Sequence, residues 1–155
     1  MEEKLKEISS EIIKLFREKA DLTKKIKFKD YHGFTKGKLP KGELDLILKK
    51  LNLKSEDFQI EIVKVLKDLS KEIHFHNFAH AFCTILSSEE NFDDSANAYL
   101  FLRDKWKKVS KGEMINIPQK TPHGFTIKGG GILTFLSVQT PPIEKGKDDD
   151  YFQVD

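Results

Sequence analysis

Between Ile73 and Gln139 no helical periodicity holds for long, and this constrains the chain more than any other feature. Ala81–Leu86, Asn97–Leu102, Trp106–Val109, Met114–Ile117, Phe125–Lys128 and Ile132–Gln139 are short runs rich in β-branched or aromatic residues. Turn-forming clusters separate them: Ser87–Asn91, Lys111-Gly112, Pro118–Pro122 and Gly129–Gly131. Short strands punctuated in this way predict an antiparallel sandwich or barrel. Upstream, Phe58–Leu69 carries two patterns. Phe58, Ile62, Val65, Leu66 and Leu69 fit a helical face, whereas Phe58, Ile60 and Ile62 alternate with Gln59 and Glu61 as in a strand. The β segments that follow favour the strand.

The first third has another character. Leu5, Ile8, Ile12, Leu15 and Phe16 recur at helical spacing, and Leu44, Ile47, Leu48 and Leu51 support a second, shorter helix. The basic stretch between them, with Gly33, Gly37, Pro40 and Gly42, is expected to be a loop. The string His-Gly-Phe-Thr occurs at His32–Thr35 and again at His123–Thr126, with no similarity around it, and is taken as coincidence. At the other end Pro141-Pro142 stops the last strand and Asp148–Asp150 is solvated. Tyr151, Phe152 and Val154 are expected to fold back onto the barrel. A length of 155 residues allows one hydrophobic core. The resulting division is a helical extension over 1–57 packed on a β-barrel with a C-terminal tail over 58–155.

Charge follows that division. Residues 1–57 hold 15 Lys/Arg against 11 Asp/Glu, and the remainder 12 against 14, so a total of +2 conceals a basic first third. Only Arg17 and Arg103 are arginines, so a cationic substrate contact is expected from lysine. Basic and aromatic residues interleave poorly, which argues against a nucleic-acid partner. No apolar run is long enough to span a membrane. Met1–Lys6 is charged and has no apolar signal region. One cysteine, Cys83, excludes an internal disulfide and a cysteine-based zinc site. A cytoplasmic location is the corresponding expectation.

Three of the five histidines, His74, His76 and His80, fall within seven residues; His123 comes later and His32 stands apart. On a strand His74 and His76 share a face, because side chains alternate with period two. Two such imidazoles can share a metal if a third ligand arrives from another strand, and His123, just before a predicted strand, is placed to supply it. An isolated H-x-H is more often an ordinary hydrogen-bonded pair, so the spacing around it matters.

That spacing resembles the cupin superfamily, whose motifs are G-x5-H-x-H-x3–4-E-x6-G and G-x5-P-x-G-x2-H-x3-N. Asp68 stands at the first glycine, His74 and His76 match the H-x-H, and Gly112, Pro118 and His123 match the second motif. The resemblance spans Phe58 to Pro142. Lys120 replaces the second motif's glycine, Ile127 its asparagine, and His80 or Ala81 stands where the first motif has glutamate. The run Ile73–Phe82 is also similar to the thiol dioxygenases, but Ala81 occupies their cysteine position and their substrate-clamping arginine has no counterpart.

The resemblance implies a mainly β protein, a cupin-type barrel (double-stranded β-helix, or jelly roll), which is often a homodimer. It implies His74, His76 and His123 as ligands of a divalent transition metal. Iron(II) is favoured, with nickel, manganese, copper or zinc as alternatives. The absent glutamate leaves the metal its full charge, suited to a small anionic ligand. The implied activity is that of a mononuclear non-haem oxygenase or dioxygenase. His80 is the candidate catalytic group, as a base or an orienting residue; a fourth-ligand role and a purely structural one stay open. The alternatives are a sugar-type isomerase or epimerase, with His80 and Tyr99 as its acid–base pair, and a non-catalytic binding module docked through the basic helices. Cys83, Phe75, Phe78, Phe82 and Trp106 are expected in the barrel wall, core or pocket lining.

Overall fold

The strand pattern at Gln59–Val65 extends over seven residues, and both of its faces are covered. In the computed structural model, which describes residues 1–86, 97–142 and 152–154, this strand is the third of eleven. The strands are β1 (Phe28–Asp30), β2 (Phe34–Gly37), β3 (Gln59–Val65), β4 (His74–Phe75), β5 (His80–Ile85) and β6 (Ala98–Leu102). They continue with β7 (Lys105–Lys108), β8 (Met114–Ile117), β9 (His123–Ile127), β10 (Leu133–Thr140) and β11 (Phe152–Gln153). Two antiparallel sheets result: one ordered β1-β2-β3-β10-β5-β8, the other β11-β4-β9-β6-β7. The mainly β, cupin-type architecture with helices at its N-terminus is as the sequence predicts.

Strand alternation sorts the large sheet into two faces. Ile60 and Ile62 of β3, Phe82 of β5, and Leu136 and Val138 of β10 pack against helices α1 (Glu2–Glu18) and α2 (Lys41–Lys50). Leu5, Ile8, Ile12 and Phe16 form the buried stripe of α1. Val63, Val65, Ala81, Cys83, Ile85, Leu133 and Phe135 face inward. There they meet Ala98, Leu100 and Ile127 of the smaller sheet. The helices are therefore a third layer on the outer face of one sheet.

The basic stretch expected to be a loop instead forms the hairpin β1–β2, which extends the large sheet beside β3. Its pattern is too charged to declare itself locally. Backbone pairing to β3 supplies the stabilisation, as in the Leu66 N–H donation to Gly33 O at 2.8 Å. Gly33 sits in the turn at φ +86° with Lys67 and Leu69 closing on its α-carbon, so a side chain there meets both strain and overlap.

The proposed turn Ser87–Asn91 and the acidic tail lie outside the described residues. Phe152 and Val154 do return to the barrel. Phe152 stacks on Phe75 at 5.3 Å, and Val154 N–H donates to Ile73 O at 2.8 Å. Among the described residues no helix is long and apolar enough to cross a membrane.

Candidate metal centre

β4 is short, and its register is fixed by one pair, His74 opposite His123 on β9. His123 shares its strand face with Phe125 and Ile127, which pack into the core between the sheets. His74 is therefore turned into the barrel, and His76, two residues on, follows it. One potential ligand atom from each of His74, His76 and His123 lies within 4.8 Å of the others. The ring centroids are 5.0 Å apart for His74 and His76, 4.4 Å for His74 and His123, and 5.2 Å for His76 and His123. His76 and His123 are each 5% exposed.

Hydrogen bonds set the tautomers. A carbonyl only accepts, so His123 Nδ1–H donates to Thr121 O at 2.8 Å and His74 Nδ1–H to Glu72 O at 3.2 Å. Each ring then carries its lone pair on Nε2, the usual arrangement of a metal-binding imidazole. Burial, followed by the neighbouring His123 and His76, pushes the His74 pKa down to about 3. Burial likewise takes His123 down to about 4, against the opposing bond to Thr121. Both are neutral at pH 7, the state a metal requires. The donor set therefore fits a divalent transition metal.

The same shifts predict an acid-sensitive fold in the metal-free protein. Unfolded histidines take up protons below about pH 6.5, while His74 and His123 resist until about 3 and 4. The unfolded state thus binds more protons in this window, and stability falls as pH falls. The slope is up to about 1.4 kcal/mol per pH unit for each ring that stays neutral. Thermal melting of chelator-treated protein between pH 7 and 4 checks this; a flat profile contradicts it.

Asp68, at the position of the first motif's glycine, lies outside the three-histidine group. Its Oδ1 accepts Ser70 N–H at 2.8 Å and the Thr126 hydroxyl at 3.1 Å, and Oδ2 accepts Lys128 Nζ at 3.0 Å. Thr126 Oγ1 in turn accepts Leu69 N–H at 2.6 Å. These bonds hold the Asp68 carboxyl well below the usual carboxylate range, that from Ser70 foremost. They tie the segment leading into β4 to β9 and so keep His74 beside His123. Asp68→Ala is expected to weaken metal affinity about ten-fold, the scale seen when groups supporting a ligand are removed. Metal titration of the variant provides the check.

His80 is placed differently. Its Nε2 is 2.6 Å from Asn116 Oδ1, and alternation along β5 sets it on the helix-covered face with Phe82. It lies outside the three-histidine group. The expected catalytic or fourth-ligand role inside the barrel meets a geometric obstacle, because β5 turns this side chain to the other side of the sheet. Tyr99 falls between inward Ala98 and Leu100, so it faces outward from the smaller sheet and does not meet His80. His32 is exposed on the β1–β2 hairpin. Cys83 is buried in the wall, its thiol pushed up to about 12 by burial, against a hydrogen bond with Ser137.

Sequence reasoning missed the polar groups on the inner wall of the large sheet. Glu61 is 8% exposed, accepts Gln59 Nε2 at 2.6 Å through Oε1, and has Lys36 Nζ at 3.8 Å from the same oxygen. Gln139 donates to Ser137 Oγ at 3.1 Å. The alternation of Gln59 and Glu61 with isoleucines marks a strand but not which of its faces is enclosed. The available signal was the helical layer: once it covers Ile60 and Ile62, the polar set must face inward.

No family model matches the chain, and no curated protein matches it in sequence. Solved structures do match in fold. The polyketide cyclase RemF from Streptomyces resistomycificus superposes with a TM-score of 0.57 at 23% identity, over 84% of this chain and 80% of its own. Pac13, a nucleoside dehydratase from Streptomyces, gives 0.56 at 11% identity, over 84% and 86%. Oxalate decarboxylase from Bacillus subtilis gives 0.54 at 16% identity over 83% of this chain but only 30% of its own. At these identities the likeness is one of fold, the cupin-type β-barrel.

Proposed function

We propose that this chain is a metal-dependent enzyme of cupin fold acting on a small anionic molecule, and that its reaction is a mononuclear non-haem oxygenation. The supporting observation is the convergence of three imidazoles on the inner face of the barrel, His76 and His123 buried and His74 half-buried, with His74 and His123 held neutral. His74, His76 and His123 would hold a divalent transition metal, with iron(II) favoured. Such a metal supplies Lewis acidity, and in the case of iron, redox chemistry with dioxygen. The protein orients His74 through Glu72 O and His123 through Thr121 O. On the same inner wall Lys36 pairs with Glu61 at 3.8 Å, so the two charges offset each other there.

Purification without chelator or nickel resin, followed by metal analysis, tests the reading. About one iron per chain is expected, with oxygen consumption on addition of substrate candidates. Protein that neither carries nor takes up a divalent metal would overturn it. Metal without oxygen consumption would redirect it to non-redox chemistry.

A further inference from the structure

The inner wall of the large sheet carries acceptors that the metal reading does not use. Ser137 pairs with Glu61, and Gln139 with Gln59. Because Ser137 bonds inward Cys83, all four face into the barrel. Glu61 and Gln139 are thus diagonal neighbours, about 7 Å apart. They lie where β10 ends and β3 begins, the end at which β9 starts with His123. Glu61 Oε1 takes both Gln59 and Lys36, and the carboxylate's second oxygen, Oε2, can accept further hydrogen bonds on this wall. Gln139 Oε1 is buried and has no donor among the described residues. A buried acceptor such as Gln139 Oε1 is seldom left in this state, since an unmade hydrogen bond costs more than a made one gains. Lys36, on the inner face of β2, links this wall to the histidines: its charge is among the lesser influences that oppose protonation of His74.

Two neighbouring acceptors call for two neighbouring donors. Lys36 already offsets the charge of Glu61, so the wall neither repels an anion nor demands an ammonium group. We propose that Glu61 and Gln139 form a hydroxyl-binding subsite. Glu61 Oε2 and Gln139 Oε1 accept hydrogen bonds from adjacent hydroxyls of a small hydroxy acid whose carboxylate points toward His74, His76 and His123. This deepens the metal reading and rests on it only for the direction of the carboxylate.

Glycerate and propionate share a carbon skeleton and differ by two hydroxyls, so they isolate the effect. Their affinities are measured by ligand-detected NMR titration on the metal-loaded protein and again after chelation, which removes metal chelation as a source of preference. Glycerate is expected to bind about ten-fold more tightly than propionate in both forms. In Gln139→Met and in Glu61→Gln, each checked for an unchanged melting point and metal content, the preference is expected to fall to about three-fold or less. Equal affinities, no binding of either acid, or an undiminished preference in both variants would overturn the subsite. Failure of the metal reading is seen separately, as wild-type protein that takes up no metal, and the chelated protein then still reports on the wall.

Discussion

His76→Ala or His123→Ala is expected to leave the protein folded but without tightly bound metal. Each substitution reduces three ligands to two, and no carboxylate in the group makes up the loss. Removing a group that merely supports a ligand costs 10- to 100-fold in affinity, so losing the ligand itself should exceed about 100-fold. The two variants act on different chain segments, His76 after β4 and His123 at the start of β9, so a shared result points to one centre. Equilibrium dialysis with iron(II) or cobalt(II), read by metal analysis, gives the answer. Stoichiometric metal retained by both variants would sink the three-histidine site.

Phe16→Ala is expected to destabilise the whole protein by about 3–5 kcal/mol, the usual cost of emptying a phenylalanine site in a packed core. Phe16 is 1% exposed and belongs to the cluster that joins α1 to Ile62, Phe82 and Leu136 of the large sheet. Domains of this size hold about 5–15 kcal/mol in total, so the loss is a large share of it. Urea denaturation followed by tryptophan fluorescence is suitable, because Trp106 lies on β7 in the other sheet. A single shifted transition with an unchanged slope is expected. A change below about 1 kcal/mol would mean that the helix is an appendage rather than a layer of the fold.

The β segments and the two helices were legible because each carries a periodicity of its own. The hairpin β1–β2 was not, since its lysines mask the few apolar positions and its stability comes from pairing with β3. The three histidines could be grouped because period two places His74 and His76 together and motif spacing adds His123. The same rule could not place His80. The segment Asn77–Ala79 turns the chain from one sheet into the other, and side-chain parity does not carry across a turn. Glu61 and Gln139 stayed hidden for a related reason: alternation reports that two faces differ, but not which of them is covered.

The position of β4 has a consequence for how the molecule is assembled. Its two neighbours in the sheet, β9 and β11, both come later in the chain. While the polypeptide is emerging, His74 and His76 have no strand to lie against. Their geometry is set only when the last third arrives. A metal centre built on these residues would be complete only once β9 has docked beside β4, so metal uptake would report that step. Rapid-mixing experiments could use it as a clock for the final step, with cobalt absorbance rising after the fluorescence of the core has settled.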